Sequence, residues 1–221
     1  MIDAMLSNLA PHLCYGCGKI GMILCPYCAN NITDEPFAGC FECGLAKDVA
    51  STHTSCHPPY QNSWCVSERR GVIERIIDAY KFEYVKSASW VLAGLLDETL
   101  PVLPDNTVIV PIPTIPKHIR QRGYDHMDLI CRDLARRRGL KVERLLKRKH
   151  NSMQRGASRQ QRIDQAKSAF VCSRSLDRDA LYLIIDDVVT TGSTLKYGAV
   201  ALESAGAKTI LVAAIARQTL D

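Results

Sequence analysis

The fourteen residues 181–194, Leu-Tyr-Leu-Ile-Ile-Asp-Asp-Val-Val-Thr-Thr-Gly-Ser-Thr, constrain the fold of this chain more than any other segment. Leu181 to Ile185 is a short apolar run of the kind that fills a buried parallel strand, and the adjacent carboxylates Asp186 and Asp187 close it. Thr190-Thr191-Gly192-Ser193-Thr194 then leads into a segment with Leu195, Ala199 and Leu202 at helical spacing. A strand, a hydroxyl-rich turn with one Gly, and a helix N-terminus together make an anion site, because free backbone N–H groups and the helix dipole favour a phosphate there. The two carboxylates upstream cannot share that phosphate. They suit a pair of ribose hydroxyls a sugar's length away, so the segment predicts a phosphorylated pentose as ligand. The plainer alternative is that Asp-Asp caps a loop and the Thr-rich turn only starts a helix. No Gly-x4-Gly-Lys-Ser/Thr and no Gly-x-Gly-x-x-Gly occurs here, which sets aside a P-loop and speaks against a dinucleotide.

A chain of 221 residues, 47% hydrophobic and 23% charged, has room for one main domain and a small appendage. No segment approaches the roughly 18 uninterrupted apolar residues of a membrane span. Met1-Ile2-Asp3-Ala4-Met5 carries an acid where a signal peptide carries bases, so the expected compartment is the cytoplasm. Eight of the ten cysteines fall in the first 65 residues, and six of these form three Cys-x-x-Cys pairs. Two-residue spacing in such a chain suits a metal knuckle better than a disulfide.

The candidate ligands run Cys14, Cys17, Cys25 and Cys28, then Cys40, Cys43, His53 and Cys56. Each group completes a tetrahedral zinc set, with no open position for catalysis. Gly18 and Gly44 follow the second Cys of a pair, where the turn's N–H groups must point at sulfur. Residues 11–58 hold too few apolar side chains for a core of their own, so metal must supply the folding energy. Spacing alone leaves the pairing open between two consecutive ribbons and a crossed arrangement. It also leaves open the last ligand, since His57 adjoins Cys56 and Cys65 is near. The expected division is a zinc-ribbon module over residues 1–60 and a second domain over 61–221.

Residues 71–103 carry two helical stripes, Val72, Ile73, Ile76, Ile77 and Tyr80, then Trp90, Leu92, Leu95 and Leu96, which core packing accounts for. A strand is expected from Thr107 to Ile112, followed by a basic loop containing Lys117, Arg120 and Arg122. Asp125 is the expected N-cap of a helix bearing Met127, Ile130, Cys131 and Leu134. Cys131 and Cys172 are expected to be inert thiols. A last buried strand lies within 208–216. Strands alternating with helices predict an α/β fold with a doubly wound, mostly parallel sheet and a ligand at the carboxyl ends of its strands.

Residues 184–194 resemble the phosphoribosyl-pyrophosphate (PRPP) motif of type I phosphoribosyltransferases. The resemblance implies that Asp186 and Asp187 hold the ribose 2′- and 3′-hydroxyls while Val188, Val189, Thr190, Thr191, Gly192, Ser193 and Thr194 form the turn that wraps the 5′-phosphate. The whole order of motifs is similar to the ComF family of bacterial competence, including its GntX-like members, which join a double zinc ribbon to a phosphoribosyltransferase-like domain. The pieces that carry this likeness are the Cys pairs, Tyr80-Lys81-Phe82, Val110-Pro111-Ile112-Pro113, Arg120-x-Arg122-Gly123-Tyr124, residues 154–170 and the motif at 184–194. Three positions depart from the family pattern: His53 stands for a usual Cys, Ala157 for Leu and Gln165 for Asn.

The resemblance implies a PRPP-binding, zinc-containing protein that handles incoming single-stranded DNA in natural transformation, alongside other DNA-uptake proteins. Between Arg132 and Lys167, thirteen Lys or Arg stand against three acids, which lends this weak independent support. Within that stretch Arg136, Arg137, Arg138, Lys147, Arg148 and Lys149 are candidates for phosphate contact, although a solvated face explains such a run equally well and no aromatics interleave it. The alternative is an active phosphoribosyltransferase. It would need Mg²⁺ on the pyrophosphate and cations, from Lys117, Arg120 or Arg122, to steady the leaving charge. A third reading is a PRPP-sensing regulator.

Overall fold

The computed structural model describes residues 12–37, 39–45, 56–149 and 169–218. His53 and most of 154–170, including Gln154, Ala157 and Gln165, lie outside them. Five strands form a parallel sheet: β1 (Asn62–Glu68), β2 (Thr107–Pro111), β3 (Lys141–Val142), β6 (Leu181–Val189) and β7 (Thr209–Arg217), in the order β1-β7-β6-β2-β3. Between β3 and β6, β4 (Leu146–Arg148) and β5 (Phe170–Cys172) pair as a separate antiparallel ribbon. The helices are α1 (Pro26–Thr33), α2 (Gly71–Phe82), α3 (Ala88–Thr99), α4 (Pro116–Arg122), α5 (His126–Arg138) and α6 (Ser193–Ser204).

The apolar run predicted as a buried strand is covered on both faces, as parallel sheets require. Leu183 and Ile185 of β6, with Leu211, Ala213 and Ile215 of β7, join Ile73, Ile76, Leu92, Leu96, Ile130 and Leu134 in one core. Their neighbours Tyr182, Ile184, Val212 and Ala214 join Leu195, Ala199 and Leu202 in the other. The doubly wound architecture expected from the alternation of elements is therefore present.

The helical stretch 71–103 divides into two helices, one for each stripe, because a continuous one would run about 50 Å past strands of about 30 Å. Glu83 N and Val85 N both turn back onto Ala79 O, and Tyr84 takes the left-handed φ of 61°. Both stripes then face the sheet, except Trp90, which stays half exposed. The basic loop after β2 is the short helix α4, with Pro116 opening it and Gly123 at φ 76° ending it. Finally, β6 continues to Val189, so Asp186 and Asp187 sit inside the paired strand rather than closing it. Asp125 caps α5 as expected, accepting from Asp128 N. Cys131 is fully buried, and burial pushes its thiol far up.

The cysteine-rich segment straddles the sheet's edge strand β1. Ile23 and Ile32 of the first knuckle enter the core on the α2–α3 face, whereas Phe41 of the second enters the core on the α6 face. Among the described residues, no helix is long and apolar enough to cross a membrane.

Candidate functional site

At the carboxyl ends of β2 and β6 a cleft of about 780 Å³ opens, lined by Asp186 and Asp187, the turn from Ile112 to Ile115, Lys81, Arg122, His126 and Arg148. Pairing of Pro111 with Ile185, continued by Ile112 N donating to Ile185 O, places that turn beside the two acids. Asp187 Oδ2 accepts from Lys81 Nζ and His126 Nε2, each at 2.6 Å. Arg122 Nη1 lies 2.9 Å from His126 Nδ1. A guanidinium only donates, so Nδ1 accepts and the ring proton sits on Nε2, aimed at Asp187. The Arg122 Nε–H also donates to Lys81 O, and Tyr80 OH donates to His126 O, so α2, α4 and α5 are locked together behind the carboxylate.

The two acids consequently behave in opposite ways. Burial raises Asp186 to about 7, the charge on Asp187 pushes the same way, and the Asp187 backbone N–H only partly offsets them. Burial also works against ionised Asp187, but Lys81 and His126 outweigh it and hold that carboxyl well below the usual range. Such a split is typical of a functional carboxylate pair.

Thr190, Thr191 and Ser193 stand exposed just beyond the strand. Gly192 takes φ 73° at the N-cap of α6 and supplies no side-chain cap; Ser193 N makes only a long 3.5 Å bond to Thr191 Oγ1, so the first turn can still turn N–H groups toward an anion. A second reason for glycine comes from outside the motif. A Cβ on Gly192 would sit 2.6 Å from the Phe41 carbonyl oxygen of the second cysteine knuckle.

The cysteines assemble as two consecutive clusters, not crossed. Cys14, Cys17, Cys25 and Cys28 bring their sulfurs within 4.8 Å of one another, as do Cys40, Cys43 and Cys56. Separations of 3.7 Å (Cys17–Cys25) and 3.9 Å (Cys40–Cys56) match the edge of about 3.8 Å expected for four thiolates around zinc. Burial disfavours the Cys14 thiolate, yet backbone N–H groups of Cys17, Cys25 and Gly16 bring its thiol down to about 6. Both clusters could therefore hold a zinc ion. His57 is described and does not join the second cluster.

Of the three cations expected to serve chemistry, Arg122 lines the cleft, while Lys117 and Arg120 are exposed on α4. The six basic candidates divide between two places. Arg136 pairs with Asp133 and Arg137 stacks 3.7 Å over Trp90, both on the exposed surface, while the largely buried Arg138 binds Asp97. Lys147 and Arg148 of β4 and Lys149 just after it lie exposed, and Arg148 reaches the cleft through Pro113 O. Sequence reasoning missed Lys81 and His126 as partners of Asp187. Lys81 did stand inside the quoted Tyr80-Lys81-Phe82 piece, but no spacing rule joins residues 81, 126 and 187.

Residues 129–219 match the family model described as the phosphoribosyl transferase domain. The chain is 29% identical over 212 residues to Competence protein F of Haemophilus influenzae, covering 88% of this chain and 90% of that one. It is 30% identical over 229 residues to DNA utilization protein YhgH of Salmonella typhimurium, covering 94% and 97%. Among solved structures, glutamine PRPP amidotransferase from B. subtilis, complexed with ADP and GMP, aligns at a TM-score of 0.42 and 18% identity, covering 58% of this chain and 26% of that one.

Proposed function

Because this chain belongs to the ComF family, whose relatives include Competence protein F and DNA utilization protein YhgH, we propose that it binds PRPP and handles incoming single-stranded DNA in natural transformation. On this reading it works in the cytoplasm beside other DNA-uptake proteins. The observation that carries it is the pair Asp186–Asp187, buried in the cleft on the strand that feeds directly into the uncapped N-terminus of α6. A ribose diol fits the carboxylates, and a 5′-phosphate fits the turn from Thr190 to Thr194. Mg²⁺ accompanies the ligand as counter-ion of its pyrophosphate. Zinc is structural: Cys14, Cys17, Cys25 and Cys28 hold one ion, and Cys40, Cys43, Cys56 and His53 hold the other, fixing both knuckles against the sheet.

Isothermal titration with PRPP and Mg²⁺ tests the assignment. The Asp186→Asn, Asp187→Asn double variant keeps shape but accepts more weakly from hydroxyls, and it should lose about 2–4 kcal/mol of binding. Unchanged affinity in a folded double variant would remove the PRPP site from this motif.

The second reading, an active phosphoribosyltransferase, is favoured by the cations Arg122 and Arg148 in the same cleft. As C1′ turns cationic in such a reaction, they would steady the departing pyrophosphate. A pyrophosphate-release screen over candidate nucleophiles separates turnover from binding alone.

A further inference from the structure

We propose that Phe41 and Glu42 are positioning residues for the phosphate loop, so that metal held by the second cysteine cluster and PRPP bound at Asp186–Thr194 stabilise one another. The inference rests on the PRPP reading above and assigns that site a partner it does not share with the PRPP motif itself. Phe41 and Glu42 are the two residues between Cys40 and Cys43, inside the knuckle turn that Gly44 N closes onto Cys40 O. Three contacts run from this pair to the loop and its surroundings. The Phe41 carbonyl packs on Gly192, where no Cβ has room. The same carbonyl accepts from Arg217 Nη1 at 3.0 Å, at the end of β7. Glu42 Oε2 pairs at 2.7 Å with Lys196 Nζ, in the first turn of α6.

Phe41 is 1% exposed, so the turn is seated in the core rather than resting on the surface. Gly192 sets where the first N–H groups of α6 point, and the Phe41 carbonyl sets how closely Gly192 is backed. Glu42 places an anion beside a lysine that would otherwise oppose the positive end of the helix dipole. A metal ion gripping Cys40 and Cys43 fixes both ends of the two-residue turn, whereas its loss frees them. An ion and a ligand that each favour one arrangement of a shared element must raise each other's affinity equally. The first cluster enters the core on the opposite face, through Ile23 and Ile32, and provides an internal control.

The test uses the full zinc-loaded chain. Wild-type titration with PRPP and Mg²⁺ comes first, and no binding there ends both the PRPP reading and this inference. Thiol alkylation under a limiting zinc chelator, mapped by mass spectrometry, then follows each cluster with and without saturating PRPP. PRPP should slow modification of Cys43 and Cys56 about fivefold or more and leave Cys17 unchanged. Glu42→Gln should weaken PRPP binding several-fold at an unchanged melting temperature and shrink the protection. The Asp186→Asn, Asp187→Asn variant should show no protection at all. If wild type binds PRPP while Cys43 and Cys56 react at the same rate with or without it, or if Glu42→Gln binds and protects as wild type does, the PRPP site stands and the coupling is refuted.

Discussion

At Asp187 the carboxylate meets a lysine and a histidine, while Asp186 beside it receives one backbone N–H, from Asp187 itself. With Asp186 raised to about 7 from an ordinary value of 3.8, the native state keeps a proton that the unfolded chain has lost. Its contribution to stability is thus full below the ordinary value and fades as pH climbs to about 7. Asp187, held below its ordinary value, contributes in the opposite sense: its share is present above that value and is lost as pH falls through and below it. Ligand binding follows Asp186. A diol donates more strongly to a carboxylate than to a carboxylic acid, which has one oxygen turned donor, so PRPP affinity should rise by up to about tenfold between pH 6 and pH 8. Titration in buffers of different ionisation enthalpy should show proton release near pH 6. Asp186→Asn should abolish the part of the pH dependence that exceeds titration of the ligand's own phosphate, and an undiminished pH profile in that variant would place the titrating group elsewhere.

Helices α3 and α5 illustrate what a side chain read as a surface charge can be doing. Arg138 ends α5, pairs with Asp97, and donates to the backbone carbonyls of Asp97, Leu100 and Pro101 as α3 finishes. It caps the carboxyl end of a neighbouring helix, satisfying acceptors that have no partner within their own helix. Arg138→Ala should therefore cost about 2 kcal/mol, from hydrogen bonds to a charged group. A thermal melt should fall by about 4–8 °C for a chain of this size, and a melt within a degree of wild type would show the cap to be idle. At this scale the sequence was legible wherever the signal was local. The continuous apolar run Leu181–Ile185 foretold a buried parallel strand, and Asp125 announced the start of α5. The break at Tyr84 was not legible, because sheet length rather than local propensity ends α2. The Lys81–His126–Asp187 cluster was hidden for the same reason: its members come from α2, α5 and β6 and meet only once the sheet is ordered.

For the molecule as a whole, the division expected at residue 60 marks a change of chemistry in the sequence, while Ile23, Ile32 and Phe41 from before it join the cores on both faces of the sheet. Elemental analysis should return about two zinc ions per chain, and exhaustive chelation should lower the melting temperature because it loosens both faces of the edge strand β1. The placement of charge also sharpens the test for nucleic acid. Reversing Arg136, Arg137 or Arg138 would disturb intramolecular contacts, so a loss of DNA binding there would say little about a phosphate track. Lys147 on β4 and Lys149 just after it are exposed on either side of Arg148, which lines the cleft that holds Asp186 and Asp187. A strand of DNA crossing that edge would meet them directly. Lys147→Glu with Lys149→Glu should weaken single-stranded DNA binding about tenfold or more at moderate salt, leaving melting temperature and PRPP affinity unchanged. Wild-type affinity should fall steeply as salt rises, with little preference for base sequence. Fluorescence anisotropy with labelled oligonucleotides across a salt series decides the point: a flat salt response, or equal binding by the double variant, removes β4 as the DNA contact.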